Sequence, residues 1–278
     1  MKIAFIGGGS MGTALISGLI KSGVSASNLY VVDINEIARE RIKNKFYIRV
    51  SASIDKALAE YDAIILSVKP KDLKNTAQIL SIYLTSQLVI SIVAGIHSTD
   101  LICWLNSYVR IIRAMPNSPT FIGLGVTGLV AFSGVDADGC KLASDIFSSV
   151  GKTIWLDDES KLDAVTAISG SGPAYVFYFI ESLQESAHRL GLSDKQCHTL
   201  VFETFIGSIQ LALQSSKPIS ALRESVTSSE GTTAAALNIF AMQGVKEAIV
   251  KGILAANTRS KDIRCEYGES ISLVATDN

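Results

Sequence analysis

The spacing of apolar residues along the chain changes once, near residue 156. Up to that point, short apolar runs alternate with amphipathic segments such as Met11–Lys21 and Asn35–Lys45. Runs of this kind are typical of strands that are buried on both faces of a sheet. The first part of the chain is therefore predicted to form an α/β domain on a mainly parallel sheet.

The predicted strands are the apolar runs that turn residues or helical segments separate. They are Lys2–Ile6, Leu29–Asp33, Tyr47–Val50, Ala63–Val68, Leu88–Val93, Val109–Arg113, Gly125–Phe132 and Thr153–Leu156. The stretch Gly123–Phe132 follows a loop that contains proline, so we expect it to join the edge of the sheet as an antiparallel strand.

From about Ser160 onward the strand pattern gives way to long helical segments. A C-cap glycine, Gly191, precedes an N-cap at Ser193, and Pro218 marks another break. The predicted helices are Leu162–Leu190, Asp194–Gln214, Ile219–Val226, Thr232–Met242 and Val245–Asp262. Residues 1–158 are thus predicted to form the α/β domain and residues 159–278 an all-α domain.

The first two of these helices carry apolar residues around most of their circumference. A helix of that composition is normally buried, and the helical part of the chain is too small to cover both. A second copy of the chain is the natural partner, so the all-α domain is predicted to form a homodimer that is able to assemble into a larger homo-oligomer.

A Gly-x-Gly-x-x-Gly pattern lies between the first predicted strand and the first helix. Its glycines permit a tight turn, the approach of a pyrophosphate, and close packing of helix on strand, while the helix N-terminus attracts phosphate. With an acidic residue ending the second strand, the pattern predicts a Rossmann dinucleotide-binding domain. The residues predicted to contact the dinucleotide are Ile6, Gly7, Gly8, Gly9, Ser10, Met11, Gly12 and Asp33.

The choice between NADH and NADPH depends on the end of the second strand. Asp33 is placed to accept hydrogen bonds from the adenosine ribose 2′-hydroxyl and to repel a 2′-phosphate, which favours NADH. Arg39 and Arg41 lie close by, but charged residues on a helix usually form a solvated face. We therefore expect NADH to be used well, with NADPH as the open alternative.

Composition and charge exclude several classes of function. Apolar residues make up 48% of the chain and charged residues 18%, which suffices for a sizeable core. The net charge is −1 without any basic block, so neither nucleic-acid nor membrane-surface binding is expected. The apolar runs are too short for a signal peptide or a membrane span. The four separated cysteines are typical of reduced thiols in a cytoplasmic protein, and we expect no metal site.

Four further motifs each have an ordinary structural interpretation when taken alone: the end of a strand, a stiffened loop, a close helix contact and an N-cap. They are Ser67–Pro70, Arg113–Pro119, Ser169–Tyr175 and Val226–Thr233. Together, in this order, they resemble the pyrroline-5-carboxylate reductase family, whose pattern runs VKP, MPN-x-P, SGSGPAY and SPGGTT. The resemblance implies a Rossmann domain, an interlocked helical dimerisation domain, and reduction of 1-pyrroline-5-carboxylate to L-proline with NADPH or NADH.

The resemblance also implies a site. Backbone N–H groups of Gly231, Thr232 and Thr233 are expected to hold the substrate carboxylate, and the Thr233 hydroxyl, the one candidate catalytic group, to contact the ring nitrogen. Glu159 and Ser225 are further candidates for substrate contact. The nicotinamide half of the cofactor is expected near Ser67, Val68, Lys69, Pro70, Val93, Ala94 and Asn117.

Two features of this site differ from other sequences of the family. Ser229 and Glu230 replace the proline and the first glycine of SPGG, which puts a negative charge beside an anionic substrate group. Asp33 stands where many members have a small polar residue. The three histidines lie outside every motif, which suits the reaction, since a protonated imine accepts hydride without a protein acid.

Two other functions remain open at this point. A β-hydroxyacid dehydrogenase also joins a Rossmann domain to helices, but alcohol oxidation needs a base, and the helix that follows Gly172 lacks the lysine that supplies it in that family. A non-catalytic dinucleotide-sensing regulator would need a partner-binding module or a basic patch, and neither is visible.

Overall fold

The structure, a computed structural model, describes residues 1–268. These residues divide into two compact units. The first unit comprises Met1–Ser171 together with the described residues from Ala255 onward, and the second comprises Gly172–Leu254. The boundary predicted after residue 158 marks the point where strands give way to helices. The two units divide instead at residue 171, because the helix Lys161–Val165 and the described residues from Ala255 onward pack with the α/β part of the chain.

The first unit contains one sheet with the order β3-β2-β1-β4-β5-β6-β7-β8. Its strands are β1 (Ile3–Ile6), β2 (Leu29–Val32), β3 (Arg49–Ser51), β4 (Ala63–Leu66), β5 (Leu88–Ser91), β6 (Ile111–Met115), β7 (Gly125–Ala131) and β8 (Gly151–Trp155). All neighbours are parallel except β6 and β7. The predicted α/β class is confirmed.

Several details of the sheet differ from the prediction: β6 and β8 are each shifted by about two residues, and two further differences have a structural cause. The antiparallel strand β7 is not at the edge, because β8 pairs with it in parallel on its outer side. The third strand begins at Arg49 instead of Tyr47, because Tyr47 ends the preceding helix in the left-handed conformation with φ of 56°. The carbonyl and N–H of Tyr47 therefore cannot join the hydrogen bonds between β2 and β3.

Helices cover both faces of this sheet. They are α1 (Ser10–Lys21), α2 (Glu36–Phe46), α3 (Pro70–Ser81), α4 (Ser98–Trp104) and α5 (Ala137–Ser148). In β1, Ile3 and Phe5 pack with apolar residues of α1, α2 and α5, while Ala4 and Ile6 pack with those of α3 and α4. Because side chains alternate along a strand, two covered faces require the continuous apolar runs seen in the sequence.

The register of the parallel strands brings four loops to one edge of the sheet. Ile6 is paired with Val32 on one side and with Leu66 on the other, and Leu66 is paired with Ser91. The residues that follow these strands therefore leave the sheet side by side. This carboxyl edge is where α/β sheets bind their ligands.

The helical part contains α6 (Lys161–Val165), α7 (Gly172–Arg189), α8 (Asp194–Gln214), α9 (Ile219–Ser225), α10 (Thr232–Met242) and α11 (Val245–Tyr267). The single helix predicted over Leu162–Leu190 is interrupted by a π-helical turn at Thr166–Gly170. There, the N–H of Ser171 donates to the carbonyl of Thr166 at 2.8 Å. Pro173 has no N–H with which to continue the α-helical ladder, so the prediction of one helix is wrong.

Few side chains of the second unit are buried within it. In α8 only Cys197 and Val201 are buried, and α10 has no buried residue. Large apolar side chains are exposed along these helices, and Leu213 is 73% exposed. They include Phe177, Tyr178, Ile206, Ile209, Leu211, Ile239 and Phe240. Within residues 1–268, no helix is long and apolar enough to cross a membrane.

The last turns of α11 belong to the sheet unit. The Ser260 hydroxyl donates to the Asp163 carboxylate at 2.6 Å, and both side chains are buried. Ile263 packs against Gly95 in the loop that follows β5. These contacts place the end of α11 beside one of the loops at the carboxyl edge of the sheet.

Candidate active site

The loop between β1 and α1 requires glycine at two positions for the fold itself. Gly7 has φ of +105°, and a Cβ atom there would lie 2.7 Å from the carbonyl oxygen of Ser67. A Cβ atom at Gly12 would lie 2.8 Å from the carbonyl oxygen of Gly7. Real Cβ atoms do not approach other atoms so closely. These two glycines are therefore explained by the packing of the loop against β4 and α1.

Gly9 has no such explanation within the protein. Its φ and ψ of −66° and −173° suit any residue, and a Cβ atom would meet only the carbonyl oxygen of Ser67, at 4.0 Å. As the N-cap of α1 it offers no side chain to the N–H groups of the first turn. An open space above uncapped N–H groups fits a diphosphate. The loop thus fits the dinucleotide predicted from the sequence.

Asp33 holds the glycine loop in place. One carboxylate oxygen accepts the N–H of Gly8 at 2.6 Å, and the other accepts that of Asn35 at 2.8 Å. A carboxylate has lone pairs to spare after two such bonds. The expected bond to a ribose hydroxyl stays a prediction, and the structure adds an anchoring role that the sequence did not indicate.

Arg39 is half-buried and Arg41 is exposed, and both also donate hydrogen bonds to backbone carbonyls near the glycine loop. Arg41 Nη2 donates to the carbonyl of Gly8 at 2.9 Å. Arg39 Nη1 donates to the carbonyls of Asp33 and Ile34 at 2.8 and 3.0 Å. Two guanidinium groups therefore lie at the end of β2, where an arginine accommodates the 2′-phosphate in NADP-binding domains. Helical periodicity does not report such contacts, because Gly8 lies 33 residues before Arg41.

The candidate residues after β4 lie against the same loop. The Ser67 hydroxyl donates to the carbonyl of Gly7 at 2.6 Å, which ties the β4 loop to the β1 loop. Val68 packs against the core on the α3 face. Lys69 is the exposed N-cap of α3, and Pro70 is its first residue, a position where the missing proline N–H is not needed.

The remaining cofactor candidates follow β5 and β6. Val93 is buried and Ala94 is half-buried in the loop after β5. Gly95 has φ of +75°, and a Cβ atom there would collide with Ile263. The Asn117 side-chain oxygen accepts the N–H of Val126 at 2.9 Å, so this residue also fixes the start of β7. Their contacts with a nicotinamide stay predictions.

Glu159 does not present a free carboxylate to a substrate. Its Oε1 accepts the Ser98 N–H at 2.7 Å and Arg113 Nη1 at 2.9 Å, and its Oε2 accepts the Ser98 hydroxyl at 2.7 Å. His97 Nδ1 lies 3.8 Å from Oε2. The sequence did not predict this cluster of Glu159, Arg113, Ser98 and His97. Its one sequence signal was Arg113, a charged residue at the end of an apolar strand.

The charges in this cluster are consistent with an ionised Glu159. Burial favours a raised pKa for Glu159, but the charge of Arg113 and the hydrogen bonds from Ser98 and Arg113 outweigh it, so its pKa lies below the usual value. Burial lowers the pKa of His97 more than the nearby carboxylate of Glu159 raises it. His97 therefore tends to be neutral at neutral pH.

The other candidate substrate residues lie in the second unit, at the start of α10 and at the end of α9. Gly231 is the N-cap and offers no side-chain hydrogen bond to the first turn. A Cβ atom at Gly231 would meet the Ser228 hydroxyl, which can rotate away, and φ at Gly231 is −82°, so the fold itself does not demand glycine there. The hydroxyl of Thr233 is half-buried and makes no hydrogen bond within residues 1–268. Ser225 is exposed, and its hydroxyl donates to Leu222 of its own helix at 2.7 Å.

Both parts of the chain match known protein families. Residues 2–95 match the family model described as NADP oxidoreductase, coenzyme F420-dependent, and residues 159–263 match that of pyrroline-5-carboxylate reductase dimerisation. Over 96% of its length the chain is 39% identical to pyrroline-5-carboxylate reductase of Pseudomonas aeruginosa, of which it covers 98%. The chain belongs to the pyrroline-5-carboxylate reductase family. The resemblance of its motifs to this family is thereby confirmed.

Solved structures of pyrroline-5-carboxylate reductases agree with this fold. The enzyme from Coxiella burnetii is 34% identical, with a TM-score of 0.84 over 94% of this chain and 98% of its own. The enzyme from Plasmodium falciparum, solved with NADP bound, is 31% identical, with a TM-score of 0.87 over 95% and 98%.

One departure from the reductase pattern has a visible structural consequence. Glu230, which replaces the first glycine of SPGG, has φ of 60°. A non-glycine residue in the left-handed region is destabilised by roughly 1 kcal/mol relative to glycine. The backbone at this turn therefore keeps the conformation that suits glycine, and the substitution adds strain and a negative charge directly before the candidate carboxylate site.

Proposed function

We propose that this protein catalyses the NAD(P)H-dependent reduction of 1-pyrroline-5-carboxylate to L-proline, the last step of proline synthesis. The observation that carries the proposal is the match over nearly the full chain to a pyrroline-5-carboxylate reductase at 39% identity. The glycine loop of β1 and α1, with open space above Gly9 and uncapped N–H groups, supports the dinucleotide requirement of this reaction.

The chemistry divides between the cofactor and the protein. When bound, NAD(P)H supplies the hydride that adds to the carbon of the C=N bond, and the electron pair of the π bond moves to the nitrogen, which already carries its proton. The protein is left to bind and orient, since a protonated imine needs no further activation. The glycine loop and the N-termini of α1 and α10 are proposed to supply binding and orientation, and no side chain is proposed to transfer a proton to the substrate.

At the substrate site, the first turn of α10 is proposed to bind the carboxylate through the N–H groups of Gly231, Thr232 and Thr233. The positive end of the helix dipole favours an anion there. The Thr233 hydroxyl, free of hydrogen bonds to residues 1–268, is proposed to contact the ring nitrogen. We keep Ser225 as a candidate contact, since the oxygen of its hydroxyl can still accept a hydrogen bond.

The proposed function is tested by measuring oxidation of NADH and of NADPH with and without 1-pyrroline-5-carboxylate, following absorbance and identifying proline as the product. Substrate-dependent oxidation with stoichiometric proline is expected. An enzyme of the β-hydroxyacid dehydrogenase type would instead oxidise a hydroxy acid with NAD(P)+, for which α7 lacks a lysine. Binding of NADH or NADPH without turnover of either substrate would favour a non-catalytic dinucleotide-sensing regulator.

Asp33 gives a prediction about cofactor preference. NADH is expected to support a kcat/KM at least comparable to NADPH, because the Asp33 carboxylate repels a 2′-phosphate. In Asp33→Ser, the preference is expected to shift toward NADPH by roughly tenfold or more, since Arg39 and Arg41 remain at the end of β2. A wild-type preference for NADPH of about a hundredfold would contradict the proposed role of Asp33 in cofactor choice. If Asp33→Ser instead lost affinity for NADH and NADPH equally, Asp33 would serve only to anchor the glycine loop.

The exposed apolar surface of α7, α8 and α10 supports assembly as a homodimer. Burial of side chains such as Phe177, Ile209 and Leu213 in a second copy would stabilise the pair by roughly 25 cal/mol per Å² of apolar area. Light scattering at micromolar concentration is expected to show a dimer or a multiple of it, and a stable active monomer would refute the proposal.

The four free thiols, at Cys103, Cys140, Cys197 and Cys265, support a cytoplasmic location.

A further inference from the structure

The loop that connects β5 to α4 is anchored at both ends and in the middle. It leaves the sheet after Ser91 and carries Val93 and Ala94, the candidates for contact with the nicotinamide. In its middle, Gly95 lies against Ile263 and the carbonyl of Ser260. At its far end, both the N–H and the hydroxyl of Ser98 donate to the Glu159 carboxylate.

Glu159 connects this loop to the neighbouring strand. Its Oε1 receives Arg113 Nη1 from β6 as well as the Ser98 N–H. The strand β6 runs directly to Asn117, the next candidate for nicotinamide contact. One carboxylate thereby fixes the relative position of two segments that lie 61 and 46 residues before it in the chain.

The surroundings of Glu159 make this link stiff. The side chain of Arg113 is 6% exposed and that of Glu159 is 19% exposed, so both charges are shielded from water. The Nε atom of Arg113 is buried and has no hydrogen-bond partner among the described residues. Arg113 thus depends on Glu159 for its charge compensation, and a buried guanidinium without its carboxylate is strongly destabilising.

We propose that Glu159 is a positioning residue for hydride transfer, which holds the Val93–Ala94 loop and the end of β6 in the arrangement that receives the nicotinamide. This inference rests on the proposed function. It is offered in place of the expected substrate contact of Glu159, since protein donors take three of the roughly four acceptor positions of its carboxylate. Glu159 is not catalytic itself, since it acts through the backbone that it holds.

The magnitude follows from the sensitivity of hydride transfer to distance. A displacement of about 1 Å at the reacting atoms lowers a rate by as much as a hundredfold. The glutamine side chain of Glu159→Gln has nearly the same shape as glutamate. Its NH2 group cannot accept a hydrogen bond, so it cannot replace a carboxylate oxygen opposite the donors of Ser98 and Arg113. Loss of one anchor at Ser98 or Arg113 is therefore expected, with a modest shift of the loop and not its collapse.

The test combines hydrogen exchange with kinetics on Glu159→Gln in the full chain. In the apoprotein, amides of residues 92–98 are expected to exchange at least tenfold faster than in the wild type, with exchange in β1 and β4 unchanged. In the enzyme, kcat is expected to fall by roughly ten- to a hundredfold with less change in the KM for 1-pyrroline-5-carboxylate. The primary isotope effect with 4-deuterated NADH is expected to rise as hydride transfer becomes slower than product release.

Asp136→Asn is the matched control. Asp136 forms an ion pair with Arg110 at 2.8 Å in the same unit, away from the nucleotide loops, and it also caps α5. Its loss is expected to lower the melting temperature without changing kcat or the isotope effect. If Glu159→Gln does not fold, the double variant Glu159→Gln with Arg113→Met removes the uncompensated buried charge while the anchor at Ser98 stays weakened.

The outcomes separate the two proposals. Inactive wild-type protein would reject the proposed function, while the hydrogen-exchange result would still test the link between Glu159 and residues 92–98. Wild-type exchange in these residues together with an unchanged kcat and isotope effect would overturn the positioning role. A lower melting temperature with unchanged kinetics, as in Asp136→Asn, would overturn it too, since Glu159 would then only stabilise the fold.

Discussion

Replacing Gly9 by valine is expected to weaken the binding of NADH and NADPH by roughly a hundredfold or more, equivalent to about 3 kcal/mol, while the folded protein keeps its stability. The backbone at Gly9 suits any residue, and the nearest atom to an added Cβ would be 4.0 Å away. The added side chain would instead fill the space in which the diphosphate approaches the first turn of α1. Titration by nucleotide fluorescence and a thermal melt measure the two quantities.

Gly7→Ala is the contrasting variant for this prediction. Because Gly7 has φ of +105° and its added Cβ would lie 2.7 Å from the Ser67 carbonyl oxygen, alanine there should lower the melting temperature of the apoprotein itself. If Gly9→Val destabilised the apoprotein as much as Gly7→Ala, Gly9 would serve the fold. If it bound NADH normally, the diphosphate would not lie at this loop.

Thr233→Ala is expected to lower kcat roughly tenfold or more, equivalent to one hydrogen bond of about 1–2 kcal/mol that forms as charge changes at the ring nitrogen. Cofactor affinity should barely change, because the glycine loop is in the other unit. Gly231 is the N-cap of α10 and no side chain caps the first turn, so loss of the Thr233 hydroxyl should leave the melting temperature nearly unchanged. Steady-state kinetics and a thermal melt on the same preparation provide the measurement.

Thr76→Ala serves as the control for deletion of a threonine hydroxyl. The Thr76 hydroxyl donates to Asp72 within α3 and is exposed, so its removal should alter neither kcat nor KM. Glu230→Gly is the companion variant at the site, expected to lower the KM by removing a like charge and to raise the melting temperature by relieving the strain at φ of 60°. An unchanged kcat with a lowered melting point in Thr233→Ala would reject the catalytic role of Thr233.

Local patterns predicted most of the elements. Five of the strands begin at or within one residue of their predicted start, since continuous apolar runs arise wherever a strand is covered on both faces. Errors occur where a single local feature interrupts a pattern. A π-helical turn over Thr166–Gly170, just before Pro173, interrupts an apolar helical pattern, and the left-handed Tyr47 delays β3.

The site was predictable only in part. The glycine loop was visible because strand, turn and helix follow one another in sequence, and the family was visible because four motifs occur in order. The roles of Arg41 and Glu159 were not visible. Arg41 is an exposed helical residue, as its spacing indicates, but only the structure shows that it donates to the carbonyl of Gly8. Glu159 is a carboxylate near a motif, and only the structure shows that it accepts hydrogen bonds from Ser98.

The sequence by itself determined the class of fold, the dinucleotide loop and the membership of the family, because these depend on periodicity and on short motifs whose residues are neighbours in the chain. Only the tertiary structure decided that β8 lies outside β7, that Gly9 faces open space, and that Glu159 joins Arg113 to Ser98. Each of these depends on atoms brought together from distant parts of the chain by strand order and register. Such pairings are selected by the packing of the whole domain, and no local pattern of residues encodes them.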